Sequence, residues 1–350
     1  GVAEGIMKMA LGNKIGFAFD ANVTMDEIFG YSYGSFIIEL DCTCDIGKTL
    51  GYTTEEYALS YKDEKICMCS VEKLYEDELE DVYSCNIDFE KKDITPYSYK
   101  ASSYPSPKVG VARPKFLIPV FPGTNCEYDT EKAIVAAGGE AEIFVINNMT
   151  ASDVTRSAEV FAEKISSSQV IFVPGGFSGG DEPEGSGKFI TAFFRNPLIH
   201  EKVDELLGCR DGLMAGICNG FQALIKLGLV PFGKIIDTDS SCPTLTFNTI
   251  GRHQSKIVNT RIASNKSPWL SATNPDEIYA VPISHGEGRF VCPEELFKKL
   301  VENGQIATQY VDLEGRPTYD IAYNPNGSYY AVEGITSPDG RVLGKMGHTE

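Results

Sequence analysis

The sequence predicts an α/β protein whose middle forms a mostly parallel, doubly wound sheet. A β-rich part follows it and a smaller α+β region precedes it. Three observations carry this reading. Short apolar runs alternate with helical segments from Phe116 to Ile217, the residue usage changes near residue 100, and beyond residue 230 the pattern becomes that of strands.

In the first region Val2, Ile6, Met9 and Ala10 can share one face, which predicts a helix over Val2–Leu11 with Gly12 as its stop. Ile15–Phe19, Ser35–Leu40 and Lys65–Cys69 read as strands, and Val71–Val82 as an amphipathic acidic helix. Residues 1–95 contain no histidine and no catalytic constellation. Residues 96–112 are rich in Pro, Ser and Tyr, lack periodicity, and read as a linker between domains at 1–95 and 113–350. Then Phe116–Phe121, Ala141–Ile146, Gln169–Val173 and Leu213–Ile217 read as strands. Helices are expected between and around them at Glu127–Ala137, 152–166, 187–194 and 197–207. The later strands are expected at Leu245–Ile250, Lys256–Ile262, Ile278–Ile283, Gln305–Tyr310 and Tyr329–Val332.

A chain of 350 residues has material for two ordinary domains, and its 42% hydrophobic content is that of a soluble globular protein. No apolar run is long enough for a membrane span, and no signal peptide opens the chain. Gly1 stands where Met is expected, so the chain reads as a segment of a longer protein. The net charge of −18 excludes a nucleic-acid partner, because neutralising phosphates takes clustered Lys and Arg. The densest acidic stretch, Glu72–Asp93, reads as a solvated helix face, with an acidic docking surface as the alternative. Cys42-x-Cys44 and Cys67-x-Cys69 lack zinc-site spacing and read as buried strand thiols in a reducing cytoplasm; no metal site is expected.

The chemistry centres on Gly216-Ile217-Cys218-Asn219-Gly220-Phe221-Gln222, where an apolar strand meets a helix. Glycines two positions either side of a nucleophile let the neighbouring backbone pack against a strained strand-to-helix turn. The helix N-terminus would favour a thiolate and offer N–H groups to an oxyanion. A thiolate nucleophile needs a histidine oriented by a carboxylate. Of the four histidines, His200 reads as a surface helix residue and His253 as a turn residue. His285 lies in a Gly-rich loop, and His348 stands two before Glu350, so both side chains can share one side of an extended segment.

Gly216-x-Cys218-x-Gly220-x-Gln222, the upstream Pro174-Gly175-Gly176-Phe177 and the distal His348-x-Glu350 come in the order of the class I (triad) glutamine amidotransferase family, which residues 113–350 resemble throughout. Phe121-Pro122-Gly123-Thr124-Asn125-Cys126-Glu127 and His285-Gly286-Glu287-Gly288-Arg289-Phe290 resemble its purine-biosynthetic branch. The resemblance implies a flavodoxin-like glutaminase domain. In it Cys218 would attack glutamine to give a γ-glutamyl thioester, His348 would move protons, and Glu350 would orient His348. Asn219 and Gly176 or Phe177 would supply oxyanion-hole N–H groups, and Gln222, Ser284 and Gly286 would contact glutamine. Residues 1–95 resemble part of a C-terminal-type synthetase domain. The implied partners are glutamine and upstream synthetase domains. ATP and Mg belong to those domains, and no cofactor belongs to this stretch. Two departures from the family pattern are Thr349, where many relatives carry Pro, and an end of the chain at Glu350 itself. A different cysteine hydrolase on this scaffold (γ-glutamyl hydrolase or peptidase) and a non-catalytic docking module are the alternatives.

Overall fold

The computed structural model describes residues 1–350 except 43–45, 85–86, 90–91, 105–106, 108–109, 179–186 and 349–350. The chain divides into two compact units, Gly1–Ile87 and Asp88–Glu350, a division eight residues ahead of the expected end of the first domain at residue 95.

In the smaller unit the apolar face read from Val2 onward forms α1 (Val2–Asn13), burying Ile6 and Ala10. The helix runs past Gly12 and stops at Lys14, whose φ is 54°. Next come β1 (Gly16–Phe19) and α2 (Met25–Phe29). Helix α2 opens on a reciprocal cap in which Glu27 N–H donates to Thr24 Oγ1 and Thr24 N–H donates to the Glu27 carboxylate. β2 (Gly51–Thr54), β3 (Ala58–Tyr61) and β4 (Glu64–Cys67) complete a sheet of order β2-β1-β3-β4, and α3 (Met68–Asp77) follows.

Two expectations fail here for physical reasons. Ser35–Leu40 alternates like a strand but forms no strand pairing among the described residues, and Phe36, Ile38 and Leu40 are exposed. The strand read over Lys65–Cys69 ends at Cys67, which caps α3, so its period of two stops there. Cys67 and Cys69 are therefore exposed thiols rather than a buried strand pair. Cys44 lies outside the described residues. In the acidic stretch, Glu72 is tied to Lys14 and to the Tyr57 hydroxyl.

In the larger unit the alternation becomes β5 (Lys115–Val120), α4 (Glu127–Ala136), β6 (Glu140–Val145), α5 (Ala151–Ser167), β7 (Val170–Val173), α6 (Lys188–Phe194), α7 (Pro197–Gly208), β8 (Leu213–Ile217) and α8 (Asn219–Leu227). A kinked turn α9 (Leu229–Phe232) leads to β9 (Thr244–Phe247), β10 (Gln254–Ile262), β11 (Ile278–His285), β12 (Glu287–Val291), α10 (Glu294–Glu302), β13 (Ile306–Val311), β14 (Val332–Thr336) and β15 (Val342–Lys345). The expected strand at Tyr329–Val332 begins instead as a 3-10 turn, with β14 starting at Val332.

Nine strands form one sheet in the order β11-β10-β13-β14-β15-β8-β7-β5-β6. β15, β8, β7, β5 and β6 are mutually parallel and give the 2-1-3-4-5 order of a flavodoxin-like sheet. The remaining four extend it antiparallel, while β9 and β12 pair apart from it. Both faces of a parallel sheet must be covered, so its strands read as continuous apolar runs. Leu117, Ile171 and Met214 are wholly buried with Phe161 and Ile165 of α5 and Ile199, Val203 and Leu206 of α7. Each such side chain contributes roughly 1.5–3 kcal/mol.

Of the stretch expected as a linker, residues 97–101 are hydrogen-bonded alongside β10 and β13. Gln309, buried on β13, receives Tyr97 N–H at 2.9 Å and donates to Thr95 O at 3.2 Å and to Tyr330 O at 3.0 Å. Arg261 donates to Tyr97 O at 2.6 Å, Tyr99 N–H to Ala263 O at 2.8 Å, and Ala101 N–H to Asn265 Oδ1 at 2.9 Å. Replacing Gln309 with Leu keeps volume but orphans three backbone groups, at a cost of about 3 kcal/mol. Denaturant unfolding of Gln309→Leu should show the larger unit's midpoint lowered, with faster proteolysis between residues 92 and 104. An unchanged midpoint and cleavage rate would contradict this anchoring.

Candidate active site

In an open α/β sheet the loops leaving the carboxyl ends of the strands form the ligand crevice. Here the loops after β5, β7, β8 and β15 hold, in turn, Gly123–Cys126, Pro174–Ser178, Cys218 and His348. The first two are stitched together, with Thr124 bridging Gly176 and Phe177 N–H donating to Gly123 O at 2.8 Å.

Cys218 caps α8 with φ 51° and ψ −106°, a conformation that L residues rarely adopt, and is 4% exposed. Such geometry costs of order 1–3 kcal/mol and persists only where the surroundings impose it. The flanking glycines explain how it is imposed. A Cβ at Gly220 would lie 2.1 Å from Val173 O, and one at Gly216 would lie 2.7 Å from the Gly220 backbone. Strand end, nucleophile and helix start therefore pack with no room for side chains. Cys218 N–H donates to Lys345 O at 2.9 Å, which ties the elbow to β15. Gln222 N–H donates back to Cys218 O at 3.0 Å, the first intrahelical bond of α8. Asn219 N–H, as the first helical donor, has no acceptor within the helix.

The two expected oxyanion loops are joined by a buried polar chain. Asn219 Oδ1 accepts from Ser178 Oγ at 2.6 Å and from Ser178 N–H at 3.2 Å. Asn219 Nδ2 donates to Gln222 Oε1 at 2.9 Å, and Gln222 Nε2 donates to Glu287 O at 2.6 Å. Ser178, Asn219 and Gln222 are each 2% exposed or less, so an unpaired group here would be costly. Phe177 N–H is already given to Gly123 O. Gln222 is engaged at both ends of its amide and holds Asn219 and the β11–β12 turn, where a substrate contact had been expected. Ser284 is exposed with its hydroxyl 2.9 Å from His253 Nε2, and Gly286 O accepts from Asn248 N–H at 2.9 Å.

The structure sorts the four histidines. His200 lies on α7, 3.4 Å from Asp204 one turn on. His285 is 2% exposed with no partner at either ring nitrogen among the described residues; burial first, and then His253 and His348, push its pKa down to about 3. A neutral, enclosed ring of that kind is no proton shuttle at physiological pH. His348 is half-buried at the strand-end crevice. A Cβ on Gly175 would be 2.5 Å from its Cε1, so the Pro174–Phe177 loop lies directly against the ring. Its Nδ1 is 3.8 Å from Cys126 Sγ. His348 and Ser284 also border an open groove of 430 Å³ with Lys256 and Pro282. Glu350 and Thr349 lie outside the described residues.

Sequence reading missed two neighbours of this site. His253, read as a turn residue, stands beside Phe177 with ring centroids 5.9 Å apart and contacts Ser284. Cys126, quoted only as part of a motif, is next to His348. Neither has a local sequence signal, because each is brought in by a different loop. Among the described residues no group of three or more His, Cys, Asp or Glu is placed to hold a metal ion.

Residues 113–350 match the family described as the CobB/CobQ-like glutamine amidotransferase domain. Over 238 residues the chain is 36% identical to phosphoribosylformylglycinamidine synthase subunit PurQ of Methanococcus maripaludis, covering 68% of this chain and 82% of that protein. The subunit of the same name from Aquifex aeolicus is 34% identical over 237 residues, covering 67% of this chain and 90% of that one. The structure of PurLQS from Thermotoga maritima aligns at a TM-score of 0.48 and 25% identity, over 67% of this chain and 87% of that chain. Matched by this family over residues 113–350, the chain belongs to the CobB/CobQ-like glutamine amidotransferases.

Proposed function

We infer that this chain is the glutaminase part of a phosphoribosylformylglycinamidine synthase, a carbon–nitrogen ligase of purine biosynthesis. The observation that carries the reading is the strained Cys218 elbow, set within a domain more than a third identical to a subunit of that name. Cys218 Sγ attacks the side-chain carboxamide carbon of glutamine as His348 takes the thiol proton. The tetrahedral oxyanion lies toward Asn219 N–H and Gly176 N–H, a donor type worth roughly 3 kcal/mol each. The C–N bond then breaks, and nitrogen takes the proton from His348 and leaves as ammonia. Water, deprotonated by His348, cleaves the thioester to glutamate and regenerates the thiol. Glu350 orients His348.

Ammonia serves a synthetase partner that uses ATP and Mg to replace the formyl oxygen of formylglycinamide ribonucleotide. Residues 1–95 are read as part of such a synthetase-type domain. No helix among the described residues is long and apolar enough to cross a membrane, and a cytoplasmic setting suits a purine-biosynthetic enzyme.

Incubation with a glutamine-analogue diazo ketone, followed by peptide mapping, should place a single adduct on Cys218 that free glutamine suppresses. In Cys218→Ala the adduct should vanish and ammonia release should fall at least about a thousandfold. Labelling dispersed over the other thiols would defeat the assignment. Gln222→Met should unpair Asn219 Nδ2 and Glu287 O, destabilising the domain by about 2 kcal/mol and lowering kcat/KM roughly tenfold or more. Wild-type kinetics in that variant would show that the buried polar chain does not position the oxyanion loop.

A further inference from the structure

The segment that delivers His348 is held at every residue. Lys345 O accepts from Cys218 N–H at 2.9 Å, Met346 N–H donates to Glu333 O at 3.2 Å, and His348 N–H donates to Pro282 O at 3.0 Å. At Gly347 the hold comes from side chains. Its N–H donates to Glu333 Oε1 at 2.5 Å, and its carbonyl accepts from Lys345 Nζ at 2.9 Å. Glu333 and Lys345 are themselves an ion pair, Nζ to Oε1 3.6 Å, with side chains 0% and 8% exposed. The second Glu333 oxygen accepts from Thr308 Oγ1 on β13. Gly347 has no room to change, since a Cβ there would be 2.7 Å from Val281 Cγ2 and 3.1 Å from Glu333 Oε1.

Stability alone does not account for these charges. A buried ion pair is often no better than an apolar pair of the same volume, because both ions lose their water. Here each charge is aimed at one polar group of the same peptide residue, the one directly before His348. Resting on the role of His348 proposed above, we propose that Glu333 and Lys345 are positioning residues. Their buried pair clamps both polar groups of Gly347 and so fixes the approach of His348 to the Cys218 thiol. Misplacement of a catalytic group by about 1 Å can cost roughly a hundredfold in rate, so a clamp on the adjoining peptide has a large lever.

The test is a double-mutant cycle in the full chain, read as the rate at which the diazo ketone alkylates Cys218. Lys345→Met should slow labelling roughly tenfold or more, whereas in a His348→Ala background the same change should alter the rate less than about twofold. The paired variant Glu333→Leu with Lys345→Met removes both charges together and guards against loss of fold. It leaves the Gly347 N–H and carbonyl without these partners, so its unfolding midpoint should fall, but it should stay folded at the assay temperature and still label slowly. Wild-type labelling in the folded paired variant, or an equal fold-loss in both backgrounds, would overturn the clamp. If His348→Ala alone leaves labelling unchanged, the proposed role of His348 fails first, a result separable from failure of the clamp.

Discussion

The site depends on one pairing, that of β15 with β8. These strands run parallel with Gly344 opposite Gly216 and Lys345 opposite Ile217, so their carboxyl ends finish side by side. One residue beyond β8 is Cys218, and three beyond β15 is His348. The backbone bond from Cys218 N–H to Lys345 O continues the pairing into the elbow itself. Two residues 130 positions apart are thus placed by a sheet ladder, and a sheet buried on both faces has no freedom to slip its register. A Cβ on Gly344 would strike the Phe221 ring at 2.2 Å, so the helix behind the nucleophile also depends on the fit of β15.

Around that pairing, positive φ at Cys218 is sustained by absent side chains and by a filled hydrogen-bond chain. Gly216 and Gly220 let three backbones meet, while Ser178, Asn219 and Gln222 link the β7 loop, the elbow and the β11–β12 turn. A fully paired buried network rigidifies, whereas a partly paired one is costly. The same logic applies to Glu333 and Lys345, whose charges meet on the peptide next to His348.

Much of this was legible in the sequence because the signals are local. Apolar runs of strand length between helical segments gave the wound sheet, and glycines flanking Cys218 marked a turn with no room for side chains. What was not legible depends on distance. β15 is four residues long and follows a Pro-Asp-Gly turn, so nothing in its own composition marks it as the strand beside β8. The stretch at 92–104 lacks periodicity because its partners, Gln309 and Arg261, lie more than 160 residues away. Cys67 and Cys69 alternate like strand residues, but a helix starts between them. Gln222 was assigned to substrate from its position one turn after Cys218. Only the fold shows that its amide is already engaged on Asn219 and Glu287.

The proposed chemistry places the acyl group of glutamine on Cys218, held in its strained elbow. Acid-quenched mass spectrometry of the chain mixed with glutamine labelled in its carbon skeleton and its amide nitrogen tests it directly. Carbon label is expected on the Cys218 peptide as a thioester, cleaved by hydroxylamine, with the amide nitrogen released as ammonia. Ammonia released with no acyl group on the protein, or an acyl group found on Cys126 instead, would contradict it.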